Sequence, residues 1–225
     1  MFDVKLPNLR RLERKYVLEY EKEEIEKGLI MFYGDSSFTR WSTAWGHRPL
    51  EEDIRMKDGS KAVINHGFGT STAEEQLYFY NRLVRPWEPR ALVLNTHGND
   101  ISFNYSPEEI IFLQSRLIEY ARCDMPGIKF YLCDARPLQI TMADQGVFRY
   151  HREQYNELLR DYCAKHDDCT YVNHTDSPWF YHELADVGQL DKIRTDVYVE
   201  DQVHYNQKGY DLYREFFLEV LDDIL

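Results

Sequence analysis

The 225-residue chain has no apolar run long enough to cross a bilayer. The charge-dense stretch from Met1 to Leu29 lacks the continuous apolar core of an export signal, so a cytoplasmic protein is expected. Basic residues are in short supply: 27 Lys and Arg stand against 39 Asp and Glu, a formal net charge of −12. Nucleic acid and anionic membrane are poor partners for so acidic a protein unless it carries a basic patch. The locally basic stretch Arg10-Arg11-Leu12-Glu13-Arg14-Lys15 is soon followed by the acidic run Glu21 to Glu26, and it reads as a solvated helix face. Cysteine is scarce. Cys123, Cys133, Cys163 and Cys169 have no metal-ligand spacing and are expected to be reduced thiols. None sits in a turn with a nearby His and a Gly-rich neighbour, which argues against cysteine as a nucleophile. Repeats, low-complexity tracts and linkers are absent too, so a single domain over residues 1–225 is expected.

What is present suits a globular protein. Hydrophobic residues make up 43% of the chain and aromatics 15%, with 17 Tyr. Pro7-Asn8 opens a charged helix from about Leu9 to Lys27, and Gly28 ends it. Leu29 to Tyr33, Ala62 to Asn65, Ala91 to Asn95, Ile128 to Cys133 and Thr170 to Val172 read as strands. Helices are predicted over Ala73 to Val84, from Ser106 to about Arg122, over Phe148 to Lys165 and over Lys208 to Leu221. The third-strand run is apolar throughout, as a parallel strand covered on both faces should be. Strand then helix, repeated, predicts an α/β protein: a three-layer α/β/α sandwich around a five-stranded, mainly parallel sheet in the order 2-1-3-4-5. The first helix, about residues 8–27, is extra to that minimum. It either covers the sheet or contacts another subunit of a homo-oligomer.

In such sheets, ligands bind beyond the carboxyl ends of the strands. Four polar clusters fall there: Gly34-Asp35-Ser36, His66-Gly67-Phe68-Gly69-Thr70-Ser71, Thr96-His97-Gly98-Asn99-Asp100 and Asp201-Gln202-Val203-His204. The parts fit acyl transfer. A serine hydroxyl needs an adjacent base, and His204 can be that base. Asp201, three residues earlier, can fix the imidazole's tautomer and stabilise its charged form. A Gly-rich turn exposes backbone N–H groups to a developing oxyanion, and the Asn99 amide adds another donor.

These blocks resemble the SGNH (GDSL-type) hydrolases over most of the chain. Gly34-Asp35-Ser36 is similar to the first block, Asn65-His66-Gly67-Phe68-Gly69 to the second and Gly98-Asn99-Asp100 to the third. Asp201-Gln202-Val203-His204, with Asn206 and Gly209, is similar to the last. Phe32-Tyr33-Gly34 and Ser106-Pro107-Glu108-Glu109 resemble the branch with "FYG" before the nucleophile and "SPEE" after the third block. The resemblance implies a flavodoxin-like fold, Ser36 as nucleophile, Asp201 and His204 completing a triad, and an oxyanion hole from Ser36, Gly69, Thr70 and Asn99. It implies a serine esterase acting on short acyl esters of a small molecule, acetyl-sugars among them, with thioesters an alternative and no metal or organic cofactor. Two positions depart from the pattern. Thr70 stands at the second block's oxyanion glycine, and its side chain narrows the pocket. His97 stands where the third block usually has Gly, to bind substrate or to block it.

Rival readings stay open at this level. Gly69-Thr70-Ser71-Thr72-Ala73 is one residue short of a nucleophile elbow, which would make Ser71 the nucleophile; capping of the following helix by Ser71 or Thr72 is the simpler role. Asp35, His66, His97, Asn99, Asp100 and His204 could be ligands of a dinuclear phosphoesterase centre, although the His-Gly-Asn-Asp order is not the Gly-Asn-His order of such enzymes. A non-catalytic carbohydrate or small-molecule binding module is the third class. Phe38, Trp41 and Trp45 either wall the acyl pocket or pack in the core. Arg136 either meets a polar or anionic substrate or pairs with Asp134 or another carboxylate, the ion pair being the simpler use. Asp100 reads as a loop brace. His47, His151, His166, His174 and His182 read as surface or hydrogen-bonded structural residues.

Overall fold

The computed structural model describes residues 4–138 and 147–225. A first helix, α1, covers residues 9–20; it contains Leu9–Leu12, a π-helical turn at Glu13–Val17 and Leu18–Tyr20. Strand β1 (Ile30–Gly34) runs into a short helix α2 (Ser36–Thr39), followed by α3 (Leu50–Asp53). Then come β2 (Val63–Gly67), α4 (Ala73–Leu83), β3 (Ala91–Asn95), α5 (Gly98–Ser102) and α6 (Pro107–Asp124). The chain ends with β4 (Lys129–Cys133), α7 (Val147–Cys163), β5 (Cys169–Val172) and α8 (Gln207–Val220). The five strands form one sheet in the order β2-β1-β3-β4-β5, with every pair parallel. That is the predicted order.

Period-two alternation sends successive residues to opposite faces. Met31, Tyr33, Leu92, Leu94, Phe130 and Leu132 enter a core shared with α1, α4, α6 and α7. Ile30, Phe32, Val93, Tyr131 and Cys133 enter a second core with Trp41, Leu50 and the aromatic face of α8, where Tyr210, Tyr213 and Phe217 are buried. Both faces are covered, which is why β1 and β3 read as unbroken apolar runs. The register aligns Gly34 with Gly67 and with Asn95. Three chain segments therefore leave the sheet at one edge, and the polar clusters that follow them meet there.

The first helix is shorter than the expected Leu9 to Lys27. It stops at Tyr20, and turns and irregular chain follow. Arg82 on α4 grips Glu21 through Nε and Nη2 at 2.7 and 2.9 Å, and the like charges of the Glu-rich run oppose further helix. Leu12 and Val17 are fully buried in the first core. At about 1.5–3 kcal/mol for each buried apolar side chain, they tie this charged helix to the sheet layer. The four cysteines are free thiols. No helix among the described residues is long and apolar enough to cross a membrane.

Candidate active site

Asp35 ends the first strand in extended conformation and caps α2, its Oδ1 accepting the Ser37 N–H at 2.9 Å. This cap puts Ser36 at the first position of α2, at the sheet edge. Ser36 Oγ lies 2.8 Å from His204 Nε2, and His204 Nδ1 lies 2.6 Å from Asp201 Oδ2. The other Asp201 oxygen accepts the backbone N–H groups of Val203 and His204, both at 2.9 Å, so the loop before α8 folds around its own carboxylate. Burial pushes the Asp201 carboxyl up, but the His204 N–H, the imidazole and the Val203 N–H outweigh it and hold the group at about 2. An ionised carboxylate only accepts, so Nδ1 carries the ring proton, Nε2 is left as acceptor, and the Ser36 hydroxyl donates to it. Burial holds His204 below its ordinary value of 6.5 against the opposing pull of Asp201, and the charges of Arg40 and Arg136 lower it further.

The cavity above Ser36 holds about 540 Å³, within the range of small-molecule sites. Gly69 lies close to Ser36: a Cβ on Gly69 would come within 3.4 Å of the serine Cβ. Asn99 donates one amide hydrogen to the Ser71 carbonyl at 3.0 Å, which orients the side chain and leaves its second hydrogen free to donate. The backbone N–H groups of Ser36, Gly69 and Thr70 donate to nothing among the described residues. Asp100 is fully buried below this loop and braces it as expected, accepting from Ala73 N at 2.8 Å, Thr96 Oγ1 at 2.7 Å and His97 N at 3.0 Å.

Residues 32–212 match the GDSL-like Lipase/Acylhydrolase family. The chain belongs to that family. Its fold is similar to several solved structures at low sequence identity. A GDSL-like lipase from Bacteroides thetaiotaomicron is 17% identical with a TM-score of 0.64, covering 94% of this chain and 98% of its own. TesA is 18% identical at 0.66, covering 88% of this chain and 99% of its own. An acetyl-xylooligosaccharide esterase from Geobacillus, in a mutant form, is 14% identical at 0.61, covering 88% and 95%. No curated protein matches the sequence.

Both departures from the family's glycine pattern keep a glycine-like backbone in this acylhydrolase. Thr70 has φ +74° and His97 φ +99°, a region that costs a side-chain-bearing residue about 1–3 kcal/mol unless its surroundings hold it. They do. The Thr70 carbonyl accepts from Asn8 Nδ2 at 3.0 Å and its Oγ1 from Arg11 Nη1 at 2.5 Å. His97 packs on Tyr155 and its Nε2 meets His151 Nδ1 at 3.1 Å, while its backbone N–H donates to Asp100 Oδ2 at 3.0 Å. Burial and His151 keep His97 neutral, at about 3. Its Nε2 is therefore occupied within the protein, although the residue borders the cavity.

Several expectations for the pocket are corrected. Phe38 and Trp41 do not wall it. Both are fully buried in the second core, and the Trp41 indole donates to Asp53 at 2.7 Å. Trp45 does line the cavity. Arg136 lines it as well but makes no ion pair with Asp134; it donates to the Val203 carbonyl at 2.6 Å and stacks 4.5 Å from the Tyr205 ring centroid. Asp134 is instead taken by buried His174, with Oδ1 2.7 Å from Nδ1. Ser71 is fully buried; its hydroxyl donates to the Gly34 carbonyl and accepts from Gln76, and no histidine bonds to it among the described residues; Thr72 caps α4. Of the residues named for a dinuclear centre, Asp35, His97, Asn99 and His204 border the cavity, but His66 does not: it donates to the Leu83 carbonyl and stacks on Tyr20. Among the described residues no three His, Cys, Asp or Glu side chains form a metal-holding group. The basic stretch of α1 is not merely a solvated face, because Arg11 and Lys15 border the cavity. Their i, i+4 spacing put them on one helix face, but nothing in the sequence says which face meets the sheet edge.

Proposed function

We propose that the protein hydrolyses short-chain carboxylic esters through an acyl-enzyme on Ser36. The observation that carries this reading is the unbroken relay Ser36 Oγ–His204–Asp201, at 2.8 and 2.6 Å, opening on one cavity. The Ser36 oxygen attacks the ester carbonyl carbon while its proton passes to His204 Nε2. Asp201 stabilises the imidazolium. The negative charge on the former carbonyl oxygen meets the N–H groups of Ser36 and of Gly69 or Thr70 and the free amide hydrogen of Asn99. When the C–O bond to the alcohol breaks, His204 returns the proton to the departing oxygen. Water then attacks the acyl-serine by the same route in reverse, releasing the acid and restoring Ser36. None of these steps needs a metal or an organic cofactor. The Thr70 side chain at the cavity wall favours small acyl groups, and the acetyl specificity in the name of the Geobacillus neighbour agrees with that.

Labelling by a fluorophosphonate and turnover of p-nitrophenyl acetate, butyrate and octanoate, with an acyl-CoA alongside, test the reading. Wild type should label at Ser36 and prefer acetate, and Ser36→Ala should lose labelling and turnover together. Turnover of the acyl-CoA alone would reassign the enzyme as a thioesterase. Absence of both labelling and turnover would leave a binding module.

A further inference from the structure

The chain is acidic as a whole, with 27 Lys and Arg against 39 Asp and Glu, yet the cavity over Ser36 inverts that balance. Among the described residues its lining includes Arg11, Lys15, Arg40 and Arg136, with Asp35 as the sole carboxylate. Asp35 is already engaged, its Oδ1 accepting from Ser37 N at 2.9 Å and from Asn95 Nδ2 at 3.1 Å. The cations converge from α1, from the end of α2 and from the loop after β4.

Their own partners leave most of this charge uncompensated. Arg11 and Lys15 are exposed, and neither has a carboxylate within ion-pairing distance among the described residues. Glu13, between them in sequence, turns away to Arg82 at 2.5 Å, and Glu19 turns to Lys22 at 2.7 Å. Arg40 stacks on Trp45, 4.4 Å from its ring centroid, and Lys15 approaches the same ring at 6.0 Å. The carboxylate near Arg40 is Asp201 at 3.6 Å, which is already committed to His204. Arg136 Nη1 is buried with no hydrogen-bond partner among the described residues. A buried guanidinium nitrogen without an acceptor is costly, and gathering like charges around a cavity adds repulsion. A ligand bringing the opposite charge removes both costs.

We propose that the cavity takes anionic esters: the substrate carries a carboxylate or phosphate away from the scissile bond, held by Arg11, Lys15 and Arg40 at the rim and Arg136 below them. This assignment rests on the ester-hydrolase reading above and narrows it, since it disfavours uncharged acetyl-sugars and simple fatty esters as preferred substrates. Anion capture also steers the substrate inward against the negative field of the remaining surface.

Two matched pairs test it: phenyl acetate against 4-acetoxybenzoate, with the charge on the alcohol part, and p-nitrophenyl butyrate against mono-p-nitrophenyl succinate, with the charge on the acyl part. At low salt at least one charged ester should exceed its neutral partner in kcat/KM by about tenfold or more, with the advantage shrinking as salt is added. The pair that responds identifies the side that carries the anion. Lys15→Gln and Arg11→Gln/Lys15→Gln, checked for native melting, should bring the charged-to-neutral ratio toward one. Inorganic phosphate should inhibit the wild type competitively and the double variant more weakly. Neutral esters equal to or better than charged ones in both pairs would overturn the proposal, as would a ratio that the double variant leaves untouched. Absence of turnover for all four esters together with absence of fluorophosphonate labelling is a different failure, because it removes the ester-hydrolase reading itself.

Discussion

Gly67 closes β2 against the helix that carries Ser36, and it leaves no room for a side chain. A Cβ there would lie 2.4 Å from Thr39 N, 2.7 Å from Phe38 Cβ and 2.8 Å from the Phe38 carbonyl carbon. Ordinary contacts of this kind are about 3.5–4.0 Å. The obstacle is mostly backbone, so Gly67→Ala must push α2 and β2 apart by about 1 Å. Overpacking of this sort costs about 1–3 kcal/mol. The unfolded chain of the Ala variant is stiffer, which returns about 0.4–1 kcal/mol. A net loss of about 1–2 kcal/mol should lower Tm by about 2–8 °C in a chain of this length. The larger effect falls on activity. Ser36 starts α2, and its 2.8 Å contact with His204 does not survive a shift of that size. A misplacement of about 1 Å costs about 10² in rate. Urea unfolding measures the first effect, and the rate constant for fluorophosphonate labelling measures the second directly at Ser36. Gly98→Ala, where a Cβ would meet nothing within 4 Å, is the stability control. A Gly67→Ala protein with native Tm and native labelling rate would refute the reasoning.

In the proposed mechanism His204 acts as a base only when neutral, and its folded-state value lies below 6.5, so kcat/KM should hold down to pH values below that figure before falling. Because the Arg40 charge is one of the causes of that depression, Arg40→Gln should move the acid limb of the pH profile upward; an unmoved limb would count against it. Asn99→Ala should lower kcat about 10²–10³-fold with little change in KM, and a silent substitution would mean the oxyanion is held elsewhere. Thr70→Gly keeps a backbone of φ +74° without strain, so it should melt near wild type while raising the octanoate-to-acetate ratio of kcat/KM. An unchanged ratio would show that the Thr70 side chain does not limit the acyl group. Asp134→Ala should destabilise by about 3–5 kcal/mol in urea unfolding, because it strands a buried His174; a loss below about 1 kcal/mol would show that the pair matters little.

Local rules carried most of the architecture. The apolar runs, the Ser106 cap and the strand–helix alternation depend on neighbours a few residues apart, and they located every strand and the long helices to within a few positions. The blocks around Ser36, Asn99 and His204 were legible for the same reason, since each is a short turn whose residue types serve a local conformation. The end of α1 was not legible, because Arg82, more than sixty residues away in sequence, decides where Glu21 goes. Nor was the fate of Phe38 and Trp41: Phe38 on α2 and Trp41 just beyond it both turn toward α8, and which side of so short a segment is buried depends on what arrives beside it.

The sequence by itself determined the layered fold and singled out the serine, histidine and carboxylate of the proposed relay, because strand ends and turns are written in contiguous residues. Only the tertiary structure decided that Thr70 and His97 keep a glycine backbone, since Asn8, Arg11, His151 and Tyr155 hold them from distant segments. It alone decided that Asp134 belongs to His174 and not to Arg136, and that cations from α1, α2 and the β4 loop meet over one serine. Charge on a linear chain has no address. It acquires one when parallel strands in register deliver separate loops to the same edge of the sheet.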